Sequence, residues 1–125
     1  MPIVEEGELA PDSNLLCWAR ELRAAMIAAE QSIEMNPATQ AILESIGFTD
    51  VEHECIRIPY NTWPSDEHQK LLGRWFNLAM NQGLMGLSLR PLTKLSNWKY
   101  EQVTDLVRNV KREICDRQIR AFCHL

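Results

Sequence analysis

Length, composition and charge limit what kind of protein this chain can be. Its 125 residues give room for one domain, and 46% apolar with 24% charged residues is a globular composition. A net charge of -4 gives nucleic acid no general electrostatic reason to bind, so no nucleic-acid partner is expected. No apolar run has the length of a membrane span, and the acidic start lacks the pattern of a signal peptide. The four cysteines form no CxxC pair, which favours a reducing intracellular compartment.

Two helices are predicted within residues 12–47. The first begins after Asp12 or Ser13, because either side chain can cap a helix amino terminus. Apolar residues then recur at helical spacing and predict a buried face, formed by Leu15, Trp18, Ala19, Leu22, Met26 and Ala29.

The second helix has clear start and stop signals. Asn36 is the expected cap, Pro37 the first helical residue, and Gly47 the residue that ends the helix. Phe48 is expected to make the apolar contact that often follows such an ending. The residues predicted to point inward are Ala41, Ile42 and Ile46.

A strand and a helical region are predicted next. Residues 49–59 favour β-structure, and Pro59 ends the strand because proline cannot donate to a ladder. Residues 63–91 then form a lid-like helical region, in which Ser65 is placed to cap the helix and Pro91 to stop it.

The last predicted elements are a helix at 97–117 and a truncated terminal strand at 119–125. The helix carries the strongest apolar stripe of the chain, formed by Val103, Leu106, Val107, Val110 and Ile114. Two short strands offer too little sheet to cover this stripe, so part of it is expected to be exposed. An exposed stripe favours self-association or a protein partner.

No catalytic residue and no metal site are assigned from the sequence. His53 and Cys55 share one face of the predicted strand, but zinc requires three or four ligands and no further pair stands at a known spacing. The expected catalytic set and the expected metal set are therefore both empty.

An aromatic-rich patch after the predicted strand is the candidate substrate site. A strand end followed by such a helix can roof a cleft at the edge of a sheet. The candidate substrate-binding residues are Tyr60, Asn61, Trp63, His68 and Trp75. For Trp63, Trp75 and Phe76, the sequence alone favours packing in the core or between helices over substrate binding, since aromatic residues dominate core packing.

Four segments carry a resemblance to a known family: 47–51, 58–64, 73–77 and 110–115. In these segments and in their order, the chain resembles the carboxyl-terminal part of fungal class I S-adenosylmethionine-dependent methyltransferases of the LaeA-like type. The resemblance implies an α/β fragment, mostly helical, with one or two strands, cut from a Rossmann-like domain. It also implies a role in fungal secondary metabolism, in the cytoplasm or nucleus, where relatives methylate small molecules or act through a velvet-type complex.

The cofactor S-adenosylmethionine follows from the resemblance, but the chain lacks the family's cofactor signature. Its five glycines never cluster after an apolar strand, so no glycine-rich loop and no cofactor-binding residue can be assigned. The chain alone is therefore not expected to bind the cofactor. Two alternatives remain: a non-catalytic module that binds a protein partner or a second copy, and a cofactor-free cyclase or isomerase acting on a small molecule.

Overall fold

The computed structural model describes residues 3–4, 9–31 and 33–125 and is mostly helical with a small sheet. Its elements, in chain order, are β1 (Ile3–Val4), α1 (Asn14–Ala28), α2 (Thr39–Ser45), β2 (Arg57–Pro59), α3 (Glu67–Arg90), a π-helical turn (Pro91–Leu95), α4 (Tyr100–Cys115) and β3 (Ala121–His124). The mostly helical architecture agrees with the prediction.

The sheet has three antiparallel strands in the order β1-β3-β2. Cys123 of β3 lies opposite Ile58 of β2, and Phe122 lies opposite Ile3 of β1. The prediction of one or two strands missed β1, which has only two residues and gives no alternating pattern to detect. The predicted terminal strand at 119–125 contains β3, which occupies the centre of the sheet.

The predicted strand at 49–59 is wrong for most of its length. Only Arg57–Pro59 forms a strand, and a backbone pair between Ile56 and Leu125 extends the ladder by one step. Asp50 has a φ of 55°, which is incompatible with a strand. Because β3 has four residues, the residues before Ile56 have no partner strand within the described part of the chain, and β-propensity alone does not form a strand.

The core lies between α1, α3, α4 and the π-helical turn. The α4 stripe is fully buried, so the expectation that part of it is exposed is wrong. The cover comes from helices and not from the sheet, because α1 and α3 both pack on α4. The most completely buried apolar side chains of this core are Leu15, Leu84, Leu92, Val103, Val110 and Ile114.

Helix α2 ends as predicted but packs differently. The amides of Gly47 and Phe48 donate to Glu44 and Leu43 carbonyls, both at 3.1 Å, and Gly47 has a φ of 104°, which together form a Schellman ending. The prediction that one face of α2 points into the core is wrong. Helix α2 has no buried residue, Ile46 is 67% exposed, and Phe48 after the helix is 59% exposed. The amphipathic pattern is present, but within the described residues nothing buries it.

Helix starts differ from the predictions by one to three residues. Helix α2 begins at Thr39 instead of Pro37, because Asn36 Oδ1 accepts from the Ala38 amide and forms a turn first. At α3 the cap is Asp66 instead of Ser65, and its carboxylate accepts from the Gln69 amide at 2.8 Å. Helix α4 likewise begins at Tyr100 and ends at Cys115, inside the predicted 97–117.

Pro91 does not stop the helical chain, contrary to the prediction. Helix α3 continues through both Gly83 and Gly86 to Arg90, and the π-helical turn follows directly. Because Pro91 has no N–H, it interrupts the α-helical hydrogen-bond ladder without ending the helical course of the chain, and the wider π-helical turn begins there. The Ser96 amide closes the turn on the Pro91 carbonyl at 3.3 Å.

Gly73 allows α3 to lie directly on the turn after β2. A Cβ atom built at Gly73 would lie 2.1 Å from the Asn61 carbonyl oxygen and 3.2 Å from Pro59 Cβ. The obstacle is backbone, so it cannot move aside as a flexible side chain would. Only glycine permits this approach.

We predict that Gly73→Ala destabilises the protein by roughly 1–3 kcal/mol or more, because α3 must move away from Asn61. Gly86→Ala is the matched control, since a Cβ at Gly86 meets nothing within 4 Å and alanine favours the helix by about 0.5–1 kcal/mol. Urea denaturation of both variants measures the difference. Equal stability of the two variants would contradict the close approach.

Candidate functional site

The turn after β2 carries three of the five candidate residues. Asn61 is 4% exposed, and its side-chain amide donates to the carbonyls of Asp116 and Ile119 at 3.1 and 3.3 Å. Its Oδ1 atom accepts from the Trp63 amide at 2.9 Å. The side chain thus fastens this turn to the segment between α4 and β3.

Trp63 is half-buried and tied to the sheet. Its indole Nε1–H donates to the Ala121 carbonyl at 3.0 Å. The Arg57 guanidinium lies 5.4 Å from the centre of the Trp63 ring and 4.0 Å from that of Phe122, in cation–π geometry. The packing interpretation therefore holds for Trp63, and the same ring also lines an open cleft with Arg57, Asp66 and Gln69.

Tyr60 is the most buried of the aromatic candidates. It is 4% exposed, and its ring centre lies 5.3 Å from that of Phe76. Its hydroxyl lies close to the Cys123 thiol, and burial raises the pKa of both groups. Both side chains stay protonated at neutral pH, so neither supplies a base or a thiolate nucleophile.

Tyr60 and Cys123 line a cavity of about 170 Å³ between α1 and the sheet. The α1 wall consists of Trp18, Ala19 and Leu22, all buried. The remaining lining residues are Arg23, Ile33 and Glu34, which are exposed and therefore lie at the mouth.

A bidentate ion pair spans this mouth. Arg23 Nε donates to Glu34 Oε1 at 2.7 Å, and Arg23 Nη2 donates to Glu34 Oε2 at 2.9 Å. This pairing raises the pKa of Arg23 and lowers that of Glu34. The two charges cancel each other at the entrance.

His68 and Trp75 lie apart from the other three candidates, on an exposed face of α3. Trp75 is 61% exposed, and Leu71 and Leu78 flank it one turn to either side, both also exposed. His68 lies two turns before Trp75 and so shares this face. The packing interpretation is wrong for Trp75 but right for Phe76, which packs against the core. Contact of these five residues with a substrate stays a prediction.

The residues of α1 and of the mouth that line the cavity were not predicted from the sequence as part of a site. The wall residues were recognised only as an apolar helix face, and nothing in such a face distinguishes a cavity wall from solid core. Arg23 lies in α1 and Glu34 in the irregular segment between α1 and α2, so no fixed spacing signals their pairing. The feature that could have indicated a site is the tyrosine at the strand end.

Two further polar side chains hold the elements around the cavity. Asn77 Nδ2 donates to the carbonyls of Tyr60 and Ile114, both at 2.8 Å, and so joins the β2–α3 turn to the end of α4. Trp18 Nε1–H donates to the buried Ser88 Oγ at 2.8 Å and joins α1 to α3.

Glu113, near the end of α4, caps the amino terminus of α1. Its carboxylate accepts from Ser13 Oγ, the Asn14 amide, Asn14 Nδ2 and the Leu15 amide at 2.7–2.9 Å. Burial alone would raise the pKa of Glu113, but these hydrogen bonds outweigh it and lower the pKa. The carboxylate also lies where the helix dipole favours negative charge.

Neither a metal cluster nor a membrane span is found in the part of the chain that the structure describes. Residues 3–4, 9–31 and 33–125 contain no group of three or more histidine, cysteine, aspartate and glutamate side chains that could hold a metal ion. Within the same ranges, no helix has both the length and the apolar character to cross a membrane.

We predict that Glu113→Gln destabilises the protein by about 1–2 kcal/mol at pH 7, because a neutral amide accepts fewer and weaker hydrogen bonds. A carboxylate with a lowered folded pKa contributes stability above its unfolded pKa, and this contribution is lost as pH falls through the folded pKa. The difference from wild type should therefore shrink as pH falls below about 4. Urea denaturation at several pH values measures it, with the exposed Glu54→Gln as control. A pH-independent difference would contradict the ionised cap.

The chain is similar along nearly its whole length to curated fungal proteins. It is 40% identical over 122 residues to the secondary metabolism regulator LAE1 of Cochliobolus heterostrophus, covering 97% of this chain and 40% of that protein. It is 39% identical over 125 residues to the secondary metabolism regulator laeA of Gibberella zeae, covering 99% of this chain and 40% of that protein. It is 34% identical over 123 residues to the protein-methionine methyltransferase laeA of Chaetomium globosum, covering 98% and 39%.

The chain spans about two fifths of the length of these relatives. No family model matches it, and no solved structure is similar to it. The resemblance stated from the four sequence segments is nevertheless confirmed by relatives that share its whole length. Along nearly its whole length, the chain is therefore similar to a segment of LaeA-like fungal proteins.

Proposed function

We propose that this chain is the carboxyl-terminal, substrate-side portion of an S-adenosylmethionine-dependent methyltransferase of the LaeA type, acting in fungal secondary metabolism. The observation that carries the proposal is the similarity over 97–99% of the chain to relatives named as secondary metabolism regulators and over 98% to one named as a methyltransferase. We place the three strands β1, β2 and β3 at the edge of a larger Rossmann-like sheet.

The described residues do not fit the cofactor. Backbone approach to S-adenosylmethionine requires a glycine-rich loop between a strand and a helix. Gly47 instead ends a helix, while Gly73, Gly83 and Gly86 lie inside α3. We therefore assign cofactor binding to residues outside the described part of this chain.

The contribution of this chain is a lid, formed by α3 and the turn that precedes it. Gly73 and Asn77 fix α3 on that turn, so its exposed face has a defined position. This face presents the Trp75 ring and the His68 imidazole, which offer stacking and hydrogen bonding to a substrate. The uncovered face of α2, with Ile42 and Ile46, supports a second role as cover for the larger sheet.

A chimera tests this proposal. The matched segment of the Chaetomium globosum relative is replaced by this chain, and transfer of labelled methyl from S-adenosylmethionine to protein methionine is measured. We expect the chimera to bind the cofactor and transfer methyl groups, and the chain alone to show no saturable cofactor binding in calorimetry. Trp75→Ala should lower kcat/KM of the chimera about tenfold through the lost contact, whereas Leu87→Ala, exposed on another face of α3, should not.

The outcomes separate the alternatives. Micromolar cofactor binding by the chain alone would overturn the assignment of the cofactor to other residues. A folded chimera that binds cofactor without transferring methyl groups would overturn the methyltransferase role. In that case, association lost on Trp75→Glu would favour a module that binds a protein partner or a second copy, and product formation without cofactor would favour a cyclase or isomerase.

A further inference from the structure

We propose that the cavity between α1 and the sheet binds a small, uncharged, single-ring aromatic molecule that carries one oxygen acceptor. The cavity is bounded by α1 on one side and by Tyr60 and Cys123 on the other, and it opens to solvent beside Arg23, Ile33 and Glu34. It lies away from the exposed face of α3, so it is a site distinct from the Trp75 surface. The proposal rests on the proposed function only for regarding the occupant as a substrate.

The size of the cavity selects the ring. Its volume is about 170 Å³, and an apolar protein cavity of about 150 Å³ is sufficient to hold benzene. A fused polycyclic molecule would have to displace Trp18, whose indole is fixed by its hydrogen bond to Ser88. One ring with a short substituent therefore fits best.

The walls and the mouth select a neutral molecule. Trp18, Ala19 and Leu22 offer no polar partner to a charged group, and burying an unpaired charge there is unfavourable. Arg23 and Glu34 at the mouth already satisfy each other as a bidentate pair. The pair therefore offers a charged ligand no unpaired counter-charge at the mouth.

Tyr60 selects the acceptor. Its hydroxyl lies close to the Cys123 thiol on the cavity lining, and sulfur is a weak acceptor. A carbonyl oxygen that enters beside Cys123 offers the hydroxyl a stronger acceptor than this sulfur. Binding such a ligand buries no further polar group of the protein, because Tyr60 is already buried before the ligand arrives.

Titration of the chain with acetophenone, ethylbenzene and benzoate tests the proposal, read by proton–nitrogen NMR of the Trp18 indole and the Cys123 amide. Acetophenone has the ring and the acceptor, ethylbenzene lacks the acceptor, and benzoate carries a charge. We expect saturable shifts with acetophenone, roughly threefold to tenfold weaker binding of ethylbenzene, and no saturable binding of benzoate.

Variants locate the site and the hydrogen bond. Tyr60→Phe should lower the affinity for acetophenone to that for ethylbenzene and leave the affinity for ethylbenzene unchanged. Ala19→Leu should abolish the binding of both ligands, because the larger side chain fills the cavity. Val51→Ala, which alters a separate cavity of about 390 Å³, is the matched control and should change neither. Circular dichroism confirms that each variant folds.

Absence of shifts at Trp18 and Cys123 with acetophenone would overturn the proposal, as would equal weakening of both ligands by Tyr60→Phe. These measurements use the chain without cofactor. A failure here therefore leaves the methyl transfer of the chimera untouched, and a failure of the chimera leaves the cavity untouched.

Discussion

The rest of the structure depends on the hydrogen bonds that the Glu113 carboxylate accepts from the first turn of α1. It joins the end of α4 to the start of α1 across about 100 residues of sequence and satisfies the backbone amides that a helix amino terminus leaves without partners. Ionised oxygens and buried donors make these strong hydrogen bonds. The position of α1 on the core is therefore set at its first turn and not only by its apolar face.

That position determines whether a cavity exists. Trp18, Ala19 and Leu22 form one wall, and the turn bearing Tyr60 forms the other. The Trp18–Ser88 hydrogen bond holds the first wall to α3, and Asn77 holds the second wall to α4. Because each wall is fixed by a polar contact of defined geometry, the space between the walls keeps its shape instead of collapsing into close packing.

Sequence patterns predicted the features that depend on local periodicity or on one special residue. The α1 and α4 faces, the glycine ending at Gly47 and the terminal strand all belong to this group, because each signal lies within a few residues. Sequence patterns did not predict what covers an apolar face. Ile42 and the α2 cap residue Ile46 have the same helical spacing as the α4 stripe, yet the α2 face is exposed and the α4 face is buried. The Glu113 cap and the length of β2 depend on residues distant in sequence, so no local pattern predicts them. The Arg23–Glu34 pair joins α1 to a segment without regular structure, where no periodicity fixes the spacing.

Native-state hydrogen exchange on wild type and Glu113→Gln tests most directly whether the cap fixes α1. If it does, the amides of α1 from Cys17 to Leu22 should exchange about tenfold faster in the variant, which corresponds to a loss of about 1.4 kcal/mol in local stability. The same amides should exchange at the wild-type rate in the exposed control variant Glu54→Gln. Unchanged exchange of the α1 amides in Glu113→Gln would contradict a cap that fixes α1.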